Sequence, residues 1–300
     1  GAVGTIAERL AGLAVKRPLV VTDRGVRAAG LLDRLGLANP VVFEGVPGNP
    51  TEASVLEGLE SYRAGGCDGL VALGGGSPLD CAKGISLLAS HPGPLEQYAL
   101  IRGGLGRITA DKPPMIAVPT TAGTGSEVGR AALISLTGGT KLGFISPHMI
   151  PTLAICDPEL TVGLPPELTA ATGMDAVSHC IETFCSPRYN PVAESIALDG
   201  LARAFVNLPL AVEQGANIGA RSEMMMAALQ GGLTFQKGLG LIHSLSHPLG
   251  ALAGRSLHHG MLNAIFLPPV LRFNAGACPD KMERIAAAIG LDHAEDLAET

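Results

Sequence analysis

The first half of the chain alternates short, continuous apolar runs with longer segments of mixed apolar and polar residues. The runs are PLVVTD (from Pro18), NPVVFE (from Asn39), GLVALGGG (from Gly69), MIAVPTT (from Met115), KLGFIS (from Lys141) and TLAICDP (from Thr152). Runs of this kind, rich in β-branched residues, suit strands covered on both faces. Between them, EASVLEGLESYRAG after Thr51 and PLDCAKGISLLAS after Ser77 carry helical spacing. The alternation predicts a Rossmann-like α/β domain on a mostly parallel sheet.

The pattern changes near DPELTVGLPPELT. Pro165 and Pro166 suit the first turn of a helix, and strand signals nearly vanish after them. LTAATGMDAVSHCIETF, VAESIALDGLARAFVNLPLAV, ARSEMMMAALQGGLTF, GMLNAIFLPPVLRFN and PDKMERIAAAIG all read as helices. The expected division is an α/β domain over residues 1–160 and an all-α domain over 161–300, with the crevice between two such domains a usual place for a ligand.

Composition narrows the function classes. With 300 residues, 47% of them hydrophobic, the chain can bury a sizeable core without disulfides. Only 16% of residues are charged, the net charge is -6, and there is no Trp. No basic run or aromatic platform suggests nucleic acid. The longest apolar stretches are interrupted by Gly or Pro, so no membrane span is expected. Six cysteines form no CxxC pair, which reads as reduced thiols in a cytoplasmic protein.

The candidate chemistry lies in the second half. Asp175 and His179 are four apart, as are His243 and His247, and that spacing puts each pair on one face of a helix. Each pair alone is more often structural. Together with His259 in LHHGMLNAIF they form a stronger set. His259 is preferred to its neighbour His258 because Gly260 and an apolar segment follow it. Asp175, His179, His243 and His259 supply three imidazoles and a carboxylate, a donor set for a divalent first-row metal with a position left open for substrate. A structural ion would favour thiolates and closed coordination. His247, one turn beyond His243, is a candidate proton relay or equally a packed histidine beside Pro248.

Glycine-rich loops mark the first half. GGGSPLD follows a predicted strand and opens a helix, so its backbone can approach a phosphate at a helix N-terminus. Ser77 there reads equally as a phosphate ligand or a helix cap. PTTAGTGSEV offers the hydroxyls of Thr120, Thr121 and Thr124 on accessible backbone, or is a plain polar loop. It is not GxGxxG, so the usual dinucleotide fingerprint is missing. Asp23 ends the strand PLVVTD, where a carboxylate can bind ribose hydroxyls and repel a ribose phosphate, favouring NAD over NADP. Its alternative is a turn or cap residue.

In combination these segments resemble the iron-containing (group III) alcohol dehydrogenase family along essentially the whole chain. The resemblance rests on VTD at Asp23, NPT at Asn49, GGGSPLDCAK at Gly74, VPTTAGTGSEV at Val118, DPELT at Asp157, ATGMDAVSHCIE at Ala171, GLGLIHSLSHPLGAL at Gly238 and HHGMLNAIFLPPVLRFN at His258. It implies a dehydroquinate-synthase-like fold with an NAD-binding domain and a helical metal domain. It implies Fe²⁺ on Asp175, His179, His243 and His259, a donor set that suits Zn²⁺ as well. It implies NAD contacts from Asp23, Asn49, Gly75, Gly76, Ser77, Asp80, Thr120, Thr121, Thr124 and Lys141, and a homo-oligomer such as a homodimer. Two departures stand out. Ala131 occupies a place where many relatives carry a cofactor-facing Asn. The chain also begins inside the family's first glycine-rich turn and stops before its last helices, implying an incomplete chain at both ends.

The expected activity is hydride transfer between NAD(H) and a primary alcohol or aldehyde. GCDGLVALGGGS, KLGFIS, FQKGLG and HSLSHPLG resemble members acting on short hydroxyacids such as 4-hydroxybutyrate, with succinate semialdehyde as the aldehyde. Lys237 in FQKGLG, with Arg130, is then a candidate partner for a substrate carboxylate, against the commoner reading of a solvent-facing lysine. The alternatives are a metal-free reductase resembling maleylacetate reductase, disfavoured by the full Asp/His set, and a lyase resembling dehydroquinate synthase, which would need a basic cluster absent near the histidines.

Overall fold

The computed structural model describes residues 1–250 and 257–298. The chain forms two compact units, Gly1–Thr120 with Ser126–Leu160, and Thr121–Gly125 with Thr161 onward.

The first unit holds helices α1 (Ile6–Gly12), α2 (Arg24–Ala28), α3 (Glu52–Ala64) and α4 (Gly76–Ser90). Its strands are β1 (Pro18–Val21), β2 (Val41–Phe43), β3 (Gly69–Gly74), β4 (Met115–Pro119), β5 (Ala131–Ser135), β6 (Lys141–Ile145) and β7 (Leu153–Ala154). Five strands make one parallel sheet in the order β2-β1-β3-β4-β7. Successive side chains of a strand face opposite ways. Leu19, Val21, Leu70 and Ala72 therefore pack with Val55, Leu59, Leu79 and Ile85 of α3 and α4. Val20, Val71, Leu73, Ile116 and Val118 pack on the other side with Ile6, Leu10 and Leu35. A sheet buried on both faces is why its strands read as unbroken apolar runs.

KLGFIS departs from that expectation. It forms β6, which pairs antiparallel with β5 in a separate two-stranded sheet. Its burial alternates, with Leu142 and Phe144 inside, as suits a strand covered on one face. Its partner AALIS had no strand reading. Gly138 and Gly139, both at positive φ, allow the tight reversal between the two strands.

The second unit contains α5 (Pro166–Cys185), α6 (Pro191–Glu213), α7 (Ile218–Leu233), α8 (Leu241–Gly250), α9 (His259–Ala275) and α10 (Pro279–Ile289). Pro166 begins α5 as its position predicts. Helix α5 packs against α6, α7 and α9 and is buried along most of its length. Small residues permit this closeness. A Cβ on Gly231 of α7 would stand 3.0 Å from that of His179, and one on Gly260 of α9 would overlap the Ala171 carbonyl. Helix α6 alone among the described helices has the length and apolar content to cross a membrane, which the sequence reading did not anticipate. Its Ala197, Leu201, Ala204 and Leu208 are buried, while Arg203 on the same helix pairs with Asp199 at 2.8 Å.

Candidate functional site

Helix α5 places Asp175, His179 and Glu182 on one buried face, at spacings of four and three residues. Helix α8 brings His243, and α9 brings His259 at its first position. Asp175 Oδ1 lies 3.5 Å from His179 Nε2, 3.4 Å from His243 Nε2 and 3.5 Å from His259 Nε2. A tetrahedral ion with arms of about 2.1 Å requires ligand-to-ligand edges of about 3.4 Å. The three edges that meet at Asp175 Oδ1 match that length, and the chemistry of the donors suits Fe²⁺ or Zn²⁺. The side chains of Asp175, His179 and His243 are at most 5% exposed, whereas that of His259 is 30% exposed. The cluster thus opens toward solvent at His259.

Each imidazole is oriented from behind. His179 Nδ1 donates to the Gly123 carbonyl at 3.3 Å, and its ring meets Phe235 edge-on at 4.7 Å. His243 Nδ1 donates to Glu182 Oε2 at 2.6 Å. The second Glu182 oxygen accepts the Ile242 N–H, also at 2.6 Å. One carboxylate thus engages the backbone in the first turn of α8 and fixes the tautomer of His243, leaving Nε2 to face Asp175. His259 Nδ1 lies 3.4 Å from the Ser246 hydroxyl.

The electrostatics follow from burial and these neighbours. Burial opposes the charge of Asp175, yet the imidazoles, His179 foremost, hold its carboxyl well below the usual range. Burial pushes His179 down to about 4; Asp175 opposes this, and His243 and His259 reinforce it. Burial also works against a proton on His243, but the bonds to Asp175 and Glu182 prevail and raise it to about 9. His247 stands in the same neighbourhood, its ring 5.4 Å from that of His243 and stacked 5.0 Å from that of His259. His243, His247 and His259 also form a second triad with ligand-capable atoms within 4.8 Å of one another.

Two participants carried no flag in the sequence. Glu182 lies seven residues after Asp175, two helical turns on, and that periodicity was the available signal. Asn263, four residues after His259, is fully buried and donates from Nδ2 to Asp175 Oδ1 at 2.8 Å.

The structure places Lys237 inside the second unit. It is not solvent-facing. It is 1% exposed, and its ammonium pairs with Glu194 at 2.6 Å. A buried cation needs a compensating anion, and the first turn of α6 provides one.

The nucleotide candidates fall mainly in the first unit. Asp23 caps α2, its Oδ1 accepting the Val26 N–H at 2.9 Å. Gly75, not Ser77, is the N-cap of α4, with no side-chain cap bond. Ser77 instead donates to the Gly48 carbonyl at 2.8 Å. Asn49 Oδ1 accepts from Lys141 Nζ at 3.0 Å, and Thr120 N–H donates to the Gly74 carbonyl at 3.0 Å. The turn at residues 48–49 is thereby tied to the glycine-rich start of α4 and to β6. Thr121 and Thr124 lie on the segment that clusters with the second unit. Asp80 turns its carboxylate inward, accepting from the Ser126 hydroxyl at 2.7 Å and the Leu133 N–H at 2.9 Å. Lys83, which the sequence reading did not single out, is fully buried beside it. Its ammonium donates to Ser126 Oγ, the Gly129 carbonyl and the Ala131 carbonyl at 2.8 to 2.9 Å.

Comparison with known proteins adds a family. The model described as iron-containing alcohol dehydrogenase matches residues 1–158, and that of the C-terminal part of the Fe-containing alcohol dehydrogenase family matches residues 169–300. The chain is 53% identical to 4-hydroxybutyrate dehydrogenase of Cupriavidus necator, over all of this chain and 81% of that protein. It is 41% identical to 1,3-propanediol dehydrogenase of Citrobacter freundii, over 96% and 76% respectively. Among solved structures it is similar to a 1,3-propanediol oxidoreductase, with a TM-score of 0.93 and 39% identity over 99% of this chain and 79% of that one. It is also similar to sulfoacetaldehyde reductase from Bifidobacterium kashiwanohense in complex with NAD⁺, with a TM-score of 0.89 and 31% identity over 100% and 80%.

Proposed function

The chain belongs to the iron-containing alcohol dehydrogenase family, and from that premise we propose that it transfers a hydride between NAD(H) and 4-hydroxybutyrate, with succinate semialdehyde as the oxidised partner. The observation that carries the chemistry is the convergence of three Nε2 atoms within 3.5 Å of one Asp175 oxygen. Asp175, His179, His243 and His259 would hold the divalent ion. Bound there, iron supplies Lewis-acid polarisation of the alcohol or carbonyl oxygen.

The other steps belong to the chain's own residues. Glu182 and the Gly123 carbonyl keep the imidazoles in the tautomer that presents Nε2. His247, stacked on His259, receives the alcohol proton at a ring nitrogen and passes it to solvent, and returns one when an aldehyde is reduced. The N-terminal turn of α4, without a side-chain cap, offers its N–H groups to the dinucleotide phosphates. Asp23 Oδ2 is the acceptor for ribose hydroxyls that favours NAD.

The substrate reading rests on the 53% identity to a 4-hydroxybutyrate dehydrogenase. A neutral short diol or alcohol is the second reading, favoured by one observation: the ammonium of Lys237 is already paired with Glu194. Anaerobic loading with Fe²⁺ or Zn²⁺, then an NADH assay over succinate semialdehyde and butyraldehyde, separates the two. A strong preference for the carboxylate-bearing aldehyde supports the hydroxyacid. Activity indifferent to metal and to chelators would overturn the mechanism.

A further inference from the structure

The convergence of Asp175 Oδ1, His243 Nε2 and His259 Nε2 raises a difficulty. In the neutral form that a metal ligand must take, each presents a lone pair, and the two nitrogens lie within 3.5 Å of the oxygen. In a buried site, clustered acceptors repel unless a hydrogen-bond donor or a cation stands among them. Asn263 provides that donor. Its Nδ2 is 2.8 Å from Asp175 Oδ1, 3.2 Å from His243 Nε2 and 3.2 Å from His259 Nε2. The amide nitrogen therefore covers the face of the ligand set defined by these three atoms. Its own oxygen is the anomaly: Asn263 Oδ1 is buried and has no hydrogen-bond partner among the described residues. Buried amide oxygens are rarely left unpaired, so an orphan in such a place points to a second state in which it has a partner.

We propose that Asn263 is a positioning residue of this centre: its NH₂ group holds the ligands together before a cation arrives, and its carbonyl oxygen turns toward the cation once it is bound. The inference rests on the metal-centre reading above. A divalent ion among the three acceptors removes their need for a donor and repels the NH₂ dipole. A half-turn of the terminal amide, a soft and nearly two-fold rotation, exchanges NH₂ for oxygen at the site. Helix α9 makes this local, since Asn263 lies one turn from His259 and their side chains share a face.

Two variants test the two halves of the proposal, with Co²⁺ as the probe. Asn263→Leu keeps approximate shape and removes both polar atoms. Asn263→Asp keeps an oxygen and removes the NH₂. The readouts are the melting temperature of the metal-free protein and Co²⁺ affinity from its visible absorption band. Asn263→Leu is expected to lower the metal-free melting temperature and to weaken Co²⁺ binding by about tenfold or more, as for outer partners of metal ligands. Asn263→Asp is expected to lower the metal-free melting temperature as well, because it sets a carboxylate against Asp175, while retaining Co²⁺ binding. Wild-type values for Asn263→Leu in both readouts overturn the proposal. Loss of Co²⁺ binding in Asn263→Asp equal to that in Asn263→Leu overturns the role of the carbonyl. A wild-type protein that takes up no Co²⁺ fails the metal-centre reading itself and is recognised before any variant is made.

Discussion

Glu182 serves two elements with one carboxylate: one oxygen engages Ile242 N–H in the first turn of α8 and the other fixes His243. Replacing it by Gln keeps the shape but removes the charge and leaves one position a donor where an acceptor is needed. Glu182→Gln is expected to weaken metal binding by about 10- to 100-fold, measured by chelator competition. Unchanged affinity would mean that packing alone orients His243. His247 makes the opposite prediction. His247→Asn should lower kcat by about 100-fold while the bound metal per chain stays the same. A parallel loss of metal would make His247 a ligand, as its place in the second triad allows. The pair Asp175/His179 was legible only in combination with the later histidines, since a single four-residue repeat of ligand types is more often structural. Asn263 repeats the same spacing after His259, yet a neutral amide carries no ligand signature, and only the fold shows what it faces.

Helices and strands were legible where one environment acts along their whole length. The parallel strands read as apolar runs because helices cover both faces, and the helices of the second unit read from their period. Of the β5–β6 hairpin only KLGFIS was legible, and as a strand of the parallel sheet; its antiparallel pairing with AALIS is a long-range choice that the run itself does not encode. The burial of Lys237 was not legible for a related reason, because the acid that neutralises it comes from α6, 43 residues away. That pairing has a consequence for stability. The Lys237 ammonium foremost, with Lys281, holds the Glu194 carboxyl below its ordinary range, burial opposing. A carboxyl depressed on folding stabilises the fold above its unfolded pKa and loses that contribution as pH falls through and below it. Glu194→Gln strands a buried ammonium, and a loss of about 3 kcal/mol is expected at pH 7. The gap in melting temperature between variant and wild type should close as the pH drops below the usual glutamate range. A gap independent of pH would assign the loss to packing.

At the scale of the whole chain, the metal candidates all belong to the second unit, while Asp23, Asn49, Asp80 and Lys141 belong to the first. Cofactor choice and metal affinity should therefore respond to different substitutions. Asp23→Ser retains a residue able to cap α2 and removes the charge that would repel a ribose phosphate. It is expected to shift kcat/KM from NAD toward NADP by roughly tenfold without changing metal affinity. A simultaneous loss of metal would contradict the separation.

The chain does not keep its two units in two continuous stretches. Five residues, Thr121–Gly125, leave the first unit for the second and return at Ser126. Among them, Gly123 supplies the carbonyl that steadies His179, and a Cβ on Gly125 would press into the backbone of Gly232. Splitting the gene at Leu160 would therefore give a helical fragment that lacks a loop of its own lining, with the His179 ring unanchored. Adding back a peptide spanning those five residues is the complementation that such a fragment would need.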